Sequence, residues 1–238
     1  MTNITPEQTG GSLTARYEAS VRIHSFLNKV YMWMGFGLFA TALSCYWAVN
    51  SAAFMQWVTF HPMGLLLLLG AELLLVVVLM AALPKISTNT ARLMFLVYAV
   101  LSGVTLGPLV SLYTSESLTL AFVTTACTFG AMSLIGLTTK KDMSTWGRTL
   151  TMILVGLVIA MIVNFFVGSS TFDLVISGIG VILFSALTAY DTQRLKQMGL
   201  ADMQGGENKA AVYGALALYL DFINLFLFLL RFLGKARN

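Results

Sequence analysis

Of the chain's 238 residues, 58% are hydrophobic and only 10% are charged, against about 25% charged in an ordinary soluble domain. A soluble globular module is excluded as the bulk of the molecule. The net charge of +4 does not point to nucleic acid, because the basic residues gather at the ends of apolar runs, where they act as topology signals.

In chain order, residues 1–27 lack the basic start, contiguous apolar core and small-residue cleavage site of a signal peptide. They read as a cytoplasmic N-terminal tail, disordered at first and then amphipathic. Residues 28–233 hold seven apolar runs, at about 28–49, 63–83, 93–113, 118–138, 148–168, 174–194 and 211–233. Each is close to the ~20 residues that cross a ~30 Å hydrocarbon layer. Residues 234–238 are a short C-terminal tail. The expected fold class is an all-α membrane protein, a seven-transmembrane-helix bundle.

Orientation follows from Lys and Arg. Arg16, Arg22 and Lys29 precede the first run, Lys85 and Arg92 separate the second and third, Lys140, Lys141 and Arg148 the fourth and fifth, and Arg194, Lys196 and Lys209 the sixth and seventh. The other internal loops have none. Basic loops stay in the cytoplasm, so the N-terminus is expected inside. Arg231, Lys235 and Arg237 then emerge outside, unless the last helix re-enters; a full span is favoured because late charges weigh little.

Smaller features fit a bundle. Gly103 and Gly107, followed by Pro108, have small-xxx-small spacing and read as close helix packing with a tolerated kink rather than a gating hinge. Trp33, Trp57 and Trp146 lie near run ends as an interfacial belt. Cys45 and Cys127 sit in apolar segments and indicate neither a disulfide nor a metal site.

Three acids break the apolar pattern: Glu72 in the second run, Asp191 in the sixth and Asp221 in the seventh. A carboxylate at such depth costs several kcal/mol without partners, so each is a functional candidate. Asp221, Asn224, Phe228 and Arg231 follow steps of three and four and share one helix face; Thr188, Asp191 and Arg194 share another. The plain alternative is a set of satisfied interhelical hydrogen bonds. Two carboxylates brought together in low dielectric share one proton and titrate as a unit. Deprotonated, they offer hard oxygen ligands of the kind calcium takes, too few for tight binding and suited to passage. The basic-free loops also carry Glu116 and Asp173, which are read as solvated loop residues.

The segments "FSALTAYDTQRLK", "ALALYLDFINLFLFLLRFLG" and "LSGVTLGPLVSLY" resemble the Bax inhibitor-1 family of membrane proteins, also called the transmembrane Bax-inhibitor-motif family. The likeness runs from about residue 25 onward. It implies a seven-helix fold with the last helix central, and a pH-sensitive calcium leak in which Asp191 and Asp221 sense protons and lie on the calcium path. Some family members place an arginine after the second helix to grip the aspartates; Lys85 stands at the comparable place, a point charge without arginine's planar fork. Glu72, Lys85, Asn224 and Arg231 are the candidate supporting network, with the equal alternative that Glu72 is a buried, protonated acid paired with a hydroxyl. One difficulty is depth. With the sixth helix ending near Arg194 and the seventh starting near Ala211, Asp221 lies roughly 10 Å deeper than Asp191 at a rise of about 1.5 Å per residue.

An enzyme is not expected. Only His24 and His61 are present, no HExxH, GxSxG or Walker loop occurs, and the GxGD of aspartyl intramembrane proteases is absent. The last run holds no lysine for a retinal Schiff base. No cofactor is expected; calcium is the transported ion, and lipid, calcium and protons are the partners, without nucleic acid. The second reading is a non-conducting regulator that binds another membrane protein, such as a protease or translocon, in quality control or against cell death. The expected location is a bacterial inner membrane.

Overall fold

The structure, a computed structural model, describes residues 6–83, 85–200, 206–235 and 237. Apolar side chains and strong helix formers fill every long run, and the described chain forms eight helices: α1 (Pro6–Asn50), α2 (Ala52–Phe60), α3 (Pro62–Ala82), α4 (Thr88–Val110), α5 (Ser115–Thr138), α6 (Trp146–Val167), α7 (Ser170–Leu200) and α8 (Glu207–Leu233). All except α2 are long and apolar enough to cross a membrane. The fold is a membrane helical bundle.

Local chemistry sets the boundaries. Ser51, Ser87 and Thr114 each accept a hydrogen bond from a backbone N–H three residues on, capping α2, α4 and α5. Pro62 opens α3, where a missing N–H costs nothing. Gly168, with φ of 66°, takes the left-handed turn that stops α6.

Three boundaries differ from those expected. The first membrane helix has no break at residue 28: α1 is continuous from Pro6, and Phe26 and Leu27 are already buried in the core. Residues 1–5 of the expected tail lie outside the described residues. Second, α2 occupies what read as a loop; it buries nothing and stacks Phe54, Trp57 and His61 along one side. Third, α7 continues past Arg194 to Leu200, so its 31 residues span about 46 Å and outrun a ~30 Å hydrocarbon core.

Packing ranks the helices. α3 and α6 are peripheral, with 6% and 11% of their apolar windows buried, whereas α8 is the most buried at 50%. It contacts α1, α4, α5 and α7, so the last helix is central. α1 and α4 form the most extensive pair. Gly103 and Gly107 make it possible: a Cβ on Gly103 would enter Ser44 and the Thr41 carbonyl, and one on Gly107 would press on Ala48. α4 runs unbroken through Pro108.

At the far end of α8 the chain pairs with the α4–α5 turn. Arg237 N–H donates to the Leu112 carbonyl (2.8 Å), Thr114 N–H to that of Lys235 (3.3 Å) and Lys235 N–H to Ser117 Oγ (2.9 Å). α8 therefore crosses the whole bundle rather than re-entering, and ends opposite the Lys- and Arg-bearing connections.

Candidate functional site

α7 and α8 run antiparallel and meet through residues four and then seven apart on α7 and seven apart on α8. Leu195 packs over Gly214, Asp191 meets Asp221, and Phe184 stacks on Phe228 with ring centroids 5.7 Å apart. Gly180 leaves room for the Phe228 ring. A seam of apolar and small residues thus carries one polar rung at its centre.

The Asp191 and Asp221 side chains are hydrogen-bonded to each other. Two carboxyl oxygens bond in this way only if one holds a proton, because an ionised carboxylate is an acceptor alone. The pair is therefore placed to share one proton. Asp221 is 4% exposed, and its Oδ2 is buried without a hydrogen-bond partner in the protein. Arg194, one turn beyond Asp191, is the cation whose field reaches the pair; its guanidinium lies over Tyr213 of α8, 5.6 Å from the ring centroid. The depth difficulty shrinks because α7 extends beyond Asp191 to Leu200, which carries Asp191 deeper into its helix.

The residues around Asp191 bind α7 to its neighbours. Tyr190 lies against Gly147 at the start of α6, and Thr192 Oγ1 is 3.4 Å from Ser133 Oγ of α5. Gln193 grips the α5–α6 connection from both ends of its amide, donating to the Lys141 carbonyl (2.9 Å) and accepting from Met143 N–H (2.8 Å). Lys196 Nζ donates to the Leu137 carbonyl in the last turn of α5 (2.6 Å). Asp191 thus sits on a helix held by four nearby side chains, Tyr190, Thr192, Gln193 and Lys196.

A second polar group lies on the other side of α8. Tyr219 is fully buried; its hydroxyl is 2.8 Å from Thr41 Oγ1 of α1 and hydrogen-bonds Ser102 of α4. Thr41 Oγ1 also lies 2.9 Å from the Ala99 carbonyl, tying α1 to α4. Beside them Glu72 of α3 accepts from Thr105 Oγ1 (2.6 Å) and hydrogen-bonds Tyr98, whose ring meets Tyr219 edge-on at 5.8 Å. Glu72 therefore belongs to this hydroxyl network and not to the aspartate pair.

The other expected supporters are also placed. Asn224 donates to the Leu220 carbonyl of its own helix (2.8 Å). Arg231 is half-buried near Tyr113 at the far end of α8. Lys85 is exposed just beyond α3, and no hydrogen bond or ion pair between described residues joins it to either aspartate. Among the described residues no cluster of three or more His, Cys, Asp or Glu side chains could hold a metal ion; the pair offers carboxyl oxygens alone. Sequence reasoning missed Tyr219, Thr41, Ser102 and Tyr98. Hydroxyls are common in membrane helices and give no periodic signal, so only the position of Tyr219 beside Asp221 hinted at them.

Comparisons with known proteins find relatives along nearly the whole chain. The profile of the family described as "Inhibitor of apoptosis-promoting Bax1" matches residues 23–238. The inner membrane protein YbhL of Escherichia coli K12 is 45% identical over 218 residues, covering 90% of this chain and 93% of YbhL. An uncharacterized protein of Deinococcus radiodurans is 42% identical, covering 91% and 93%. One of Rickettsia prowazekii is 34% identical, covering 91% and 92%.

Proposed function

This chain belongs to the Bax inhibitor-1 family, and from that premise we propose that it is a pH-sensitive calcium leak whose gate is the Asp191–Asp221 pair. It is a multi-pass inner-membrane protein, with seven apolar spans and a relative of that location. The observation that carries the leak is the pair itself: two carboxyls joined by a hydrogen bond inside the bundle, with one Asp221 oxygen unpartnered.

With a proton between them the carboxyls hold α7 and α8 together. Loss of that proton puts two negative charges at one place in low dielectric, which repel unless a cation enters. Calcium, a hard cation with a preference for carboxylate oxygen, fits that demand. On the far side of the pair, Phe184 stacked on Phe228 and the buried Leu225 and Leu229 form an apolar layer across the route. Passage therefore requires α7 and α8 to separate, and the proton decides whether they are latched.

Purified protein in liposomes with a trapped calcium dye tests this directly. Slow passive calcium entry is expected, with a rate that changes between about pH 6 and 8 as the pair titrates. Flux equal to that of empty vesicles throughout would replace the leak with the partner-binding reading. The finer topology, N-terminus inside, is tested by reporter fusions at Asn50, Thr114 and Ser170. All three should report the outside.

A further inference from the structure

A separate feature of the bundle has no part in that mechanism. α5 packs on α7 and α8, while α1 packs chiefly on α4 and α8, and neither α1 nor α4 makes an extended contact with α5. The gap is a cleft along α8 of about 490 Å³, within the ~300–1,000 Å³ of small-ligand sites. Its walls include Cys45 of α1, Leu106 of α4 and Phe122 of α5, and its floor is Phe222 and Phe226 of α8. Phe222, the residue after Asp221, is held there by edge-on contacts with Phe122 and Phe129 at 6.0 and 5.5 Å.

We infer that this cleft binds one acyl chain of a bilayer phospholipid as a ligand of α8, distinct from the general lipid shell. Three observations fix the class of ligand. No acid, lysine, arginine or histidine lines the cleft, so an ion or a charged headgroup has no partner in it. Three of the four hydroxyl and amide side chains that line it are already engaged, Thr41 with Tyr219, Thr119 with the Ser115 carbonyl at 2.9 Å and Asn50 with the Tyr46 carbonyl at 2.8 Å, and the fourth, Tyr46, stands exposed at its edge. Water would find few partners there. The cleft also lies among membrane-spanning helices and is flanked by the exposed Tyr46 and Phe122, at 71% and 54% exposure, so hydrocarbon reaches it sideways from the bilayer. A helix from a second copy, about 10 Å across, takes up roughly 400 Å³ per turn, which leaves room for little more than one turn. A slender acyl chain uses the length of the cleft.

The test is photolabelling of the full chain in phosphatidylethanolamine–phosphatidylglycerol vesicles that carry a diazirine on one acyl chain, with adducts mapped by peptide mass spectrometry. Cleft residues such as Cys45 and Phe226 should carry about tenfold more adduct than the lipid-exposed Leu67 and Leu74 of α3, a preference of about 1.4 kcal/mol that rests on packing and not on removal from water. Ala42→Phe should remove that excess and leave α3 labelling unchanged. Ala42 is exposed and lines the cleft, so the added ring fills space without disturbing the core. Thr119→Trp, on the opposite wall and also exposed, is the second variant. Equal labelling of cleft and α3, or labelling indifferent to both fillers, overturns the proposal. Chain-to-chain cross-links through Phe226 that both fillers abolish would overturn it in favour of a second copy. The readout needs no calcium flux, so it stands or falls independently of the leak.

Discussion

The two sides of α8 carry the same kinds of polar group in different arrangements. Toward α7, Asp221 has one partner, another carboxyl, and leaves an oxygen unbonded. Toward α1 and α4, Tyr219 reaches two hydroxyls, and the neighbouring Glu72 accepts from a threonine and meets a tyrosine. Two residues along a helix point about 200° apart, so one helix serves both sides. The difference lies in completeness. Neutral hydroxyls close their bonds without a net charge and hold α1, α4 and α8 in one arrangement, to which Glu72 ties α3. A carboxyl pair is satisfied in only one protonation state, which is what the proposed switch requires.

The sharpest way to break this contrast is Asp221→Asn. The substitution keeps shape and hydrogen bonding, so the protein should fold and insert while the pH response of calcium passage flattens. Asp191→Asn should do the same. Because coupled sites are not additive, the double variant should resemble either single one. An unchanged pH profile in well-folded Asp221→Asn protein would remove the pair as the sensor.

Tyr219→Phe should act the other way. It removes the hydroxyl that Thr41 and Ser102 share and should cost about 1–2 kcal/mol of stability, seen as a lower melting temperature in detergent. The pH profile of flux should keep its shape. Glu72→Gln should cost less, about 1 kcal/mol, since an amide oxygen still accepts from Thr105 and Tyr98. A flux profile displaced by Glu72→Gln would show that the two sides act together.

The smallest effect belongs outside the membrane. Asp142, in the α5–α6 connection, accepts from the backbone N–H and then the hydroxyl of Ser144, both at 2.9 Å, which holds its carboxyl below the usual range. Its stabilisation is therefore present above the unfolded value of about 3.9 and is lost as pH falls through the lower folded value. Asp142→Asn should lower the melting temperature slightly at neutral pH and make no difference in strong acid.

Much of the bundle was legible because apolar runs report lipid directly. The seven spans, the break at Gly168 and the close approach at Gly103 and Gly107 all follow from local composition. The nine residues of α2 were too short to register as a span and bury nothing, so no periodic signal marked them. The extension of α7 to Leu200 was hidden because Arg194 and Lys196 look like a helix end when read by hydropathy. In the structure Arg194 rests on Tyr213 and Lys196 caps α5. Asp191 and Asp221 stood out as carboxylates in apolar runs. That they meet depends on steps of four and seven residues along α7 against steps of seven along α8, visible only once Gly214, Asp221 and Phe228 face Leu195, Asp191 and Phe184.

The helix at the centre of this bundle is made after all the helices it packs against. At translation rates of about 5–20 residues per second, the ribosome takes about 2–6 s to go from Asp191 to Asp221. For that interval the earlier helices enclose an empty slot, and Asp191 waits in a nascent protein without the carboxyl it will bond. Maturation of the bundle therefore waits on α8, and the aspartate pair forms only when that helix takes its place between α7 and the others.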